Sequence, residues 1–357
     1  MSRLFSPISL RDVRLENRVV VSPMCQYSCE DGTANDWHLV NLGHFALSGP
    51  ALAFFEATHV SPEGRITDRD LGLYSDANEE GIARVVAFLR RWTRTKVGAE
   101  LAHAGRKGST VPPWEGGGPA KPPHAYPTVA PSAIPFDEGW HVPEALDGAG
   151  LQKVRGDFTE AAQRAQRLGL DVLELHFAHG YLAHQFLSPL SNHRTDAYGG
   201  SLENRLRFPL ELFERVRSVW PERKPLGVRI SATDWVDGGW DVEQSVVLAR
   251  ALKERGCDFV DVSSGGLSPK QKIDFHPGYQ VPFASRIKRE TGVATCAVGM
   301  ITDPHQAEAI LANGEADMIV LARGFLRNPR WTWDAADALG GEPFVPNQYR
   351  RGRKTPA

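Results

Sequence analysis

"RLGLDVLEL" (residues 167–175), "ERGCDFVDV" (254–262) and "NGEADMIVL" (313–321) are three versions of one junction. Each passes from a charged helix end through a glycine and an acidic residue into a short apolar run. An apolar run of this kind suits a strand buried on both faces, which is the habit of parallel sheets. Working outward, similar runs occur at 18–24, 51–60, 96–103, 170–177, 225–231, 257–264, 293–299 and 316–324. Longer amphipathic stretches separate them, from "HLVNLGHFALS" near the start to "PRWTWDAADALGG" near the end. Eight strand–helix units predict an α/β chain folded as a single (β/α)8 TIM barrel. A doubly wound sheet is the alternative, but no G-x-G-x-x-G turn follows the first strand.

Residues 1–340 are expected to form the barrel. Within them, 105–148 break the rhythm with "PPWEGGGPAKPPHAYPTVAPSAIPF", rich in Pro and Gly. A loop of that length inside a compact domain is read as a lid or capping insertion after strand three. Residues 341–357 carry no core pattern and are read as a C-terminal arm.

The 357 residues are 41% hydrophobic, enough for a large core. Lys plus Arg is 41 and Asp plus Glu is 43, a formal charge of −2, so no strong field draws the chain to nucleic acid or an anionic membrane. Four scattered cysteines suggest a reducing cytosol rather than a disulfide framework. The N-terminus lacks the order of a signal peptide, and no apolar run is long enough to span a bilayer. A cytoplasmic location is expected.

Barrel enzymes work at the C-terminal ends of their strands. The residues there are Ser22, Pro23, Met24, Cys25 and Tyr27 after strand one, Ala57 in two and Glu100 in three. Strand four contributes His176, His179 and Tyr181, and strand five Arg229. Ser264, Gly265 and Gly266 follow six, Gly299 follows seven, and Arg323 and Gly324 follow eight. Glycine turns on adjacent strands plus an arginine suit a phosphate, because backbone N–H groups approach closely and the guanidinium binds in bidentate fashion. Arg229, inside an apolar strand, is either a buried ion pair or the partner of an anionic cofactor. His176 and His179 could ligate zinc, but no convergent Asp cluster is evident in the sequence. Imidazole donors aimed at one point suit an oxygen that gains negative charge, and a neighbouring tyrosine suits proton delivery.

"SPMCQY" (22–27), "EAT" (56–58), "AHAGRK" (102–107), "ELHFAHGYLAHQFLSPLSNHRTDAYGGSLENRLRF" (174–208) and "QYRRG" (348–352) resemble the Old Yellow Enzyme family of FMN-dependent ene-reductases, in its bacterial thermophilic-like branch. The resemblance implies an NADPH-dependent, ping-pong reduction of activated C=C bonds in enones, enals and nitroalkenes. Hydride would pass from flavin to the β-carbon and a proton to the α-carbon. Ser22 to Cys25 and Ala57 would line the FMN edge, with Arg229 at its anionic end. Ser264, Gly265, Gly266, Gly299, Arg323 and Gly324 would lie toward its phosphate. His176 and His179 would hold the substrate oxygen, Tyr181 would supply the proton, and Tyr27 would line the pocket. The resemblance further implies a homodimer or homotetramer in which Arg351 reaches a neighbouring subunit. One position departs from it: a Gln that would bond the flavin pyrimidine is here Glu100. A flavin-binding redox sensor with Cys25 as the responsive thiol is the competing function. Relatives with an iron–sulfur cluster are excluded, since no cysteine follows Cys296.

Overall fold

The computed structural model describes residues 2–353. Eight parallel strands close into a barrel: β1 (Val19–Val21), β2 (Leu52–His59), β3 (Lys96–Ala102), β4 (Val172–Phe177), β5 (Leu226–Ser231), β6 (Phe259–Ser263), β7 (Ala294–Ala297) and β8 (Met318–Leu321). Each pairs with the next, and β8 pairs with β1. Eight main helices alternate with them: α1 (Asp36–Ala46), α2 (Asp76–Trp92), α3 (Gly148–Arg167), α4 (Leu202–Val219), α5 (Val242–Glu254), α6 (Val281–Thr291), α7 (Pro304–Ala312) and α8 (Trp331–Leu339). Short helices at Leu182–Leu187 and Arg323–Arg327 are inserted at the strand ends.

The repeated junction has a physical reason. Asp171, Asp258 and Asp317 each stand just before a strand and tie it to the start of the preceding one. Their carboxylates accept the N–H groups of Val97, Leu226 and Thr295 at 3.0, 2.9 and 3.0 Å. Their own N–H groups donate to the carbonyls of the same three residues at 2.8, 2.9 and 2.8 Å. The acidic residue thus sets register at the barrel's N-terminal end, where a parallel sheet has no hairpin turn to do so.

Helix starts are capped as their sequences suggest. Asp147 accepts from Gly150 N–H before α3, and Asp303 accepts from His305 N–H before α7, with Pro304 in the first turn. On α3, Leu151, Val154, Phe158, Ala161, Ala162 and Ala165 form the buried face, the spacing of an amphipathic helix.

A hairpin of Ile8–Leu10 and Val13–Leu15 was not foreseen from the sequence. Its Leu10 and Leu15 pack with Val20, Leu52, Phe54, Val172, Phe259 and Met318, plugging the N-terminal mouth. Gly98 and Gly227 make room in that layer: a Cβ would come within 2.6 Å of the Phe54 ring and 2.2 Å of the Phe259 ring. The opposite mouth is left for chemistry.

The long segment after β3 is pinned down over that open side. Tyr126 donates through Oη to Arg65 O (2.7 Å), and its N–H donates to Ser109 Oγ (2.8 Å). Arg194 donates to the carbonyls of Pro131 and Leu146. The arm lies against α8, where the Arg330 guanidinium sits 4.9 Å from both the Trp333 and Tyr349 rings. Arg353 pairs with Asp337 at 3.0 Å. Residues 354–357 of the expected arm lie outside the described residues. No helix among the described residues is long and apolar enough to cross a membrane.

Candidate active site

The turn after β4 brings three rings together. The His176 and His179 ring centroids are 5.0 Å apart, as are those of His176 and Tyr181. Strand β4 ends at Phe177, and His179 then adopts a left-handed φ of 56° and Gly180 one of 77°. At Gly180 a Cβ would lie 2.3 Å from the Gly266 carbonyl, so only glycine fits where this turn meets the loop after β6. Ser231 at the end of β5 accepts from His179 N–H (2.9 Å) and donates to Gly265 O (2.7 Å). Lys107 adds two 2.8 Å bonds, to His179 O and Gly266 O, and lies 5.1 Å from the Tyr181 ring centroid. Burial, then Arg106, brings its ammonium pKa down to about 7.

The imidazoles are chained. His176 Nε2 lies 3.3 Å from His179 Nδ1, and His179 Nε2 lies 2.7 Å from Ser263 Oγ. Burial, followed by the positive charge of Arg229, pushes both rings well below the ordinary histidine range. They are neutral at physiological pH. Burial raises the Tyr181 phenol well above its usual value, with Cys25 and Tyr27 adding to the effect, so it keeps its proton.

Below the rings, inside the barrel, Arg229 is surrounded by three carboxyls. Its Nε is 3.2 Å from Asp261, and its terminal nitrogen is 3.5 Å from Glu100 Oε1. Glu174 pairs in register with Glu100. Three acids around one cation cannot all ionise cheaply out of water. Burial pushes Glu174 well up and also raises Asp261. Glu100 rises to about 7, chiefly by burial, with Arg229 opposing. Glu100 Oε1 also lies 3.5 Å from His176 Nδ1. Of the two alternatives, the buried ion pair is what the contacts of Arg229 show.

The glycines expected near a phosphate lie just past the ends of β6 and β7. Gly265, Gly266 and Gly299 have φ of 74°, 91° and 126°. Gln280, at the start of α6, ties these turns together: its Nε2 donates to Val298 O (3.1 Å) and its Oε1 accepts from Ser264 Oγ (2.6 Å). The Arg323 side chain enters no ion pair or hydrogen bond among the described residues. Ser22 Oγ is buried with no hydrogen-bond partner, beside the pairing of Ser22 N–H with Leu321 O (3.0 Å). Ala57 pairs in register with Glu100 across a bulge at Glu56. An orphaned hydroxyl, an unpaired guanidinium and a glycine-lined end fit a phosphorylated ring cofactor.

Sequence reasoning missed Gln280, Ser231 and the Arg106 contact to Leu267 O (3.1 Å), because each supports backbone rather than facing a substrate. Tyr27 stacks edge-on against Trp114 of the long loop at 5.5 Å, a partner only the fold could reveal. His103 does not join the pair; its Nδ1 accepts from Gly105 N–H at 3.1 Å. The ligand atoms of Cys29, His38 and Glu56 cluster within 4.8 Å of one another. That group is a satisfied network: His38 completes the α1 cap and reaches Glu56 at 2.9 Å. Cys25 is held as a thiol by burial and by Asp70, Glu56 and Glu100.

A closed barrel with glycine turns and an unpaired Arg323 at its last strands, and neutral hydrogen-bonding rings at β4, fits a flavin-dependent barrel oxidoreductase. A family model described as the NADH:flavin oxidoreductase / NADH oxidase family matches residues 3–340. The chain belongs to that family, which includes Old Yellow Enzyme, and its cofactor is FMN. NADPH dehydrogenase of Geobacillus thermodenitrificans (strain NG80-2) is 46% identical over 351 residues, 98% of each chain. NADPH dehydrogenase of Bacillus subtilis (strain 168) is 45% identical over 352 residues, 98% of this chain and 99% of the other. Morphinone reductase, also solved with tetrahydroNAD, superposes with a TM-score of 0.78 at 28% identity, over 97% of this chain and 92% of that one. A 2-naphthoyl-CoA reductase has a TM-score of 0.85 at 22% identity; it covers 94% of this chain, which spans 52% of its length, and shares the fold.

Proposed function

We propose that this chain is an NADPH-dependent ene-reductase acting on activated C=C bonds of α,β-unsaturated carbonyl and nitro compounds. The observation that carries the reading is the packing of His176, His179 and Tyr181 at the end of β4, with centroids 5.0 Å apart. Two neutral imidazoles and a protonated phenol provide donors for an oxygen and a proton for carbon. When bound, FMN would supply a two-electron hydride carrier between NADPH and the substrate's β-carbon. His176 and His179 donate to the substrate oxygen as it gains charge. Tyr181 Oη gives its proton to the α-carbon and is reprotonated from solvent. Tyr27 lines the pocket.

Ser22, Pro23, Met24, Cys25 and Ala57 are assigned to the FMN edge. Glu100 and Arg229 are assigned to the end that turns anionic, and Ser264, Gly265, Gly266, Gly299, Arg323 and Gly324 to the phosphate side. Residues 105–148 act as a lid. The barrel is taken as 1–340 and the arm as 341–357, with Arg351 contributing to a neighbour's site in a homodimer or homotetramer. Exposure of Arg351, beside a Tyr349 that anchors the arm to α8, supports this. A cytoplasmic setting suits four cysteines that are all free. The protonated, part-buried Cys25 thiol favours the enzyme over a thiol-based sensor.

The test is anaerobic NADPH oxidation by the purified yellow protein, with and without 2-cyclohexenone. Enone-dependent turnover yielding cyclohexanone is expected. Flavin reduction that no enone or nitroalkene reverses would refute the assignment.

A further inference from the structure

Arg106 is buried and its neighbour Lys107 part-buried, yet among the described residues neither lies within ion-pair distance of a carboxylate. Both are met by carbonyls and rings instead. Arg106 donates to the carbonyls of Leu267 (3.1 Å), Pro135 (3.3 Å) and Ile134 (3.4 Å). Lys107 Nζ donates to those of His179 and Gly266, each at 2.8 Å. Its third N–H has no acceptor among the described residues. Nζ stands 4.7 Å from the Phe136 ring centroid and 5.1 Å from that of Tyr181. Cations drawn out of water are ordinarily paired, because an unneutralised charge in a poorly solvated site is costly. Here the charge is held open beside a phenol.

We propose that Lys107 is a positioning residue for the proton-transfer step: its cation, fixed against the Tyr181 ring, stabilises the phenolate that remains when Tyr181 gives its proton away. This rests on the reading of Tyr181 as the proton donor.

In that step the O–H bond of Tyr181 breaks and a C–H bond forms at the α-carbon of the enolate. The phenol oxygen keeps the bonding pair, and solvent returns a proton to it before the next turnover. A phenolate shares its charge with the carbons of its ring. A cation 5.1 Å from the centroid is therefore attracted more strongly after transfer than before. An interaction that grows as the proton leaves lowers the barrier rather than merely holding the ground state. After burial, Cys25, Tyr27, Asp70 and Glu100 all act against ionisation of the phenol, so the opposing charge has to come from a cation. The two carbonyl bonds fix Nζ, since both acceptors belong to left-handed residues, His179 (φ 56°) and Gly266 (φ 91°), at the point where their loops meet.

The test is a double-mutant cycle on the FMN-loaded protein. It is run at about pH 6, below the value of about 7 to which burial and Arg106 bring Lys107, so that the ammonium form is present. Lys107→Gln removes the charge but keeps two N–H donors for the carbonyls, and Lys107→Met repeats the test with an apolar side chain. NADPH-reduced protein is mixed anaerobically with 2-cyclohexenone, and the return of the oxidised flavin absorbance is timed. Each substitution should slow that return at least about tenfold more in the parent than in Tyr181→Phe, which forms no phenolate. With 1-nitrocyclohexene, whose nitronate product is a weak base that can leave unprotonated, the factor should be small and alike in both backgrounds. Equal slowing in the two backgrounds, or equal slowing of enone and nitroalkene, would make Lys107 a loop clamp and overturn the proposal. So would parent rates in both Lys107 variants. Tyr181→Phe alone separates the two ideas. If it reduces the enone at the parent rate, the donor reading itself fails. If it is slow while the Lys107 variants show no dependence on Tyr181, only the role of Lys107 falls.

Discussion

His184 Nε2 lies 2.9 Å from Asp234 Oδ1, and neither side chain reaches solvent. Asp234 also accepts from Ser188 Oγ (2.6 Å) and Trp240 N–H (2.8 Å), and His184 Nδ1 accepts from Gly180 N–H (2.9 Å). The third imidazole of the β4 cluster is thus a strut that holds the turn carrying the other two.

Replacing His184 by Ala leaves Asp234 short of a buried partner and frees the Gly180 N–H. The expected cost is about 3 kcal/mol of stability. Thermal unfolding of the FMN-loaded protein reads this as a clear drop in Tm, while His176→Ala should move Tm far less and substrate reduction far more. Equal drops would show that the two histidines share one structural role.

Asp70 is fully buried, with one oxygen unpartnered, and burial lifts its carboxyl to about 8. Its unfolded value is near 3.8. Between these values the folded state binds more protons than the unfolded state, so the contribution of Asp70 to stability is full below about pH 4. It declines as pH rises through the window and is lost above about pH 8, at about 1.4 kcal/mol per unit as an upper scale. Asp70→Asn should therefore flatten the fall in stability from pH 5 to 8 relative to the parent. Parallel curves for the two proteins would mean Asp70 ionises normally.

Tyr181 keeps its proton, and Phe fills nearly the same space. Tyr181→Phe should slow the step that protonates carbon by roughly 10²-fold or more, the scale of a lost general acid. Flavin reduction by NADPH should be spared. Rapid-mixing measurements of each half-reaction check this, and equal slowing of both would indicate a packing role.

Arg351 is exposed on an arm that its own chain fastens through Tyr349 and Arg353. Arg351→Ala should raise KM for enones with little change in Tm, and deletion of 346–357 should also loosen the oligomer in sedimentation. A monomeric parent, or full activity after deletion, would remove the arm from the site.

The barrel was legible because its strands are nearly all buried apolar runs, three of them announced by Gly and an acid. The N-terminal hairpin was not, since three-residue strands such as Ile8–Leu10 are too short to show a period. The residues around the open mouth, from Ser22 to Arg323, were legible as strand-end positions. The carboxyl cluster was not. In a strand buried on both sides, nothing in "VLELHF" or "FVDVS" tells an inward residue from one facing a helix, so Glu174 and Asp261 do not announce that they meet Arg229. The supporting role of His184 was not legible, because sequence cannot show that the chain turns at Gly180 into a short helix.

The central claim is that His176 and His179 hold the oxygen of an activated alkene. The most direct measurement mixes NADPH-reduced enzyme anaerobically with 2-cyclohexenone and follows the return of the oxidised flavin absorbance. His176→Ala and His179→Ala should each slow that return by about 10²-fold, the 2–4 kcal/mol scale of one lost donor to a developing oxyanion. FMN content and the rate of reduction by NADPH should stay near the parent's. Return of the absorbance at the parent rate in both variants would contradict the account.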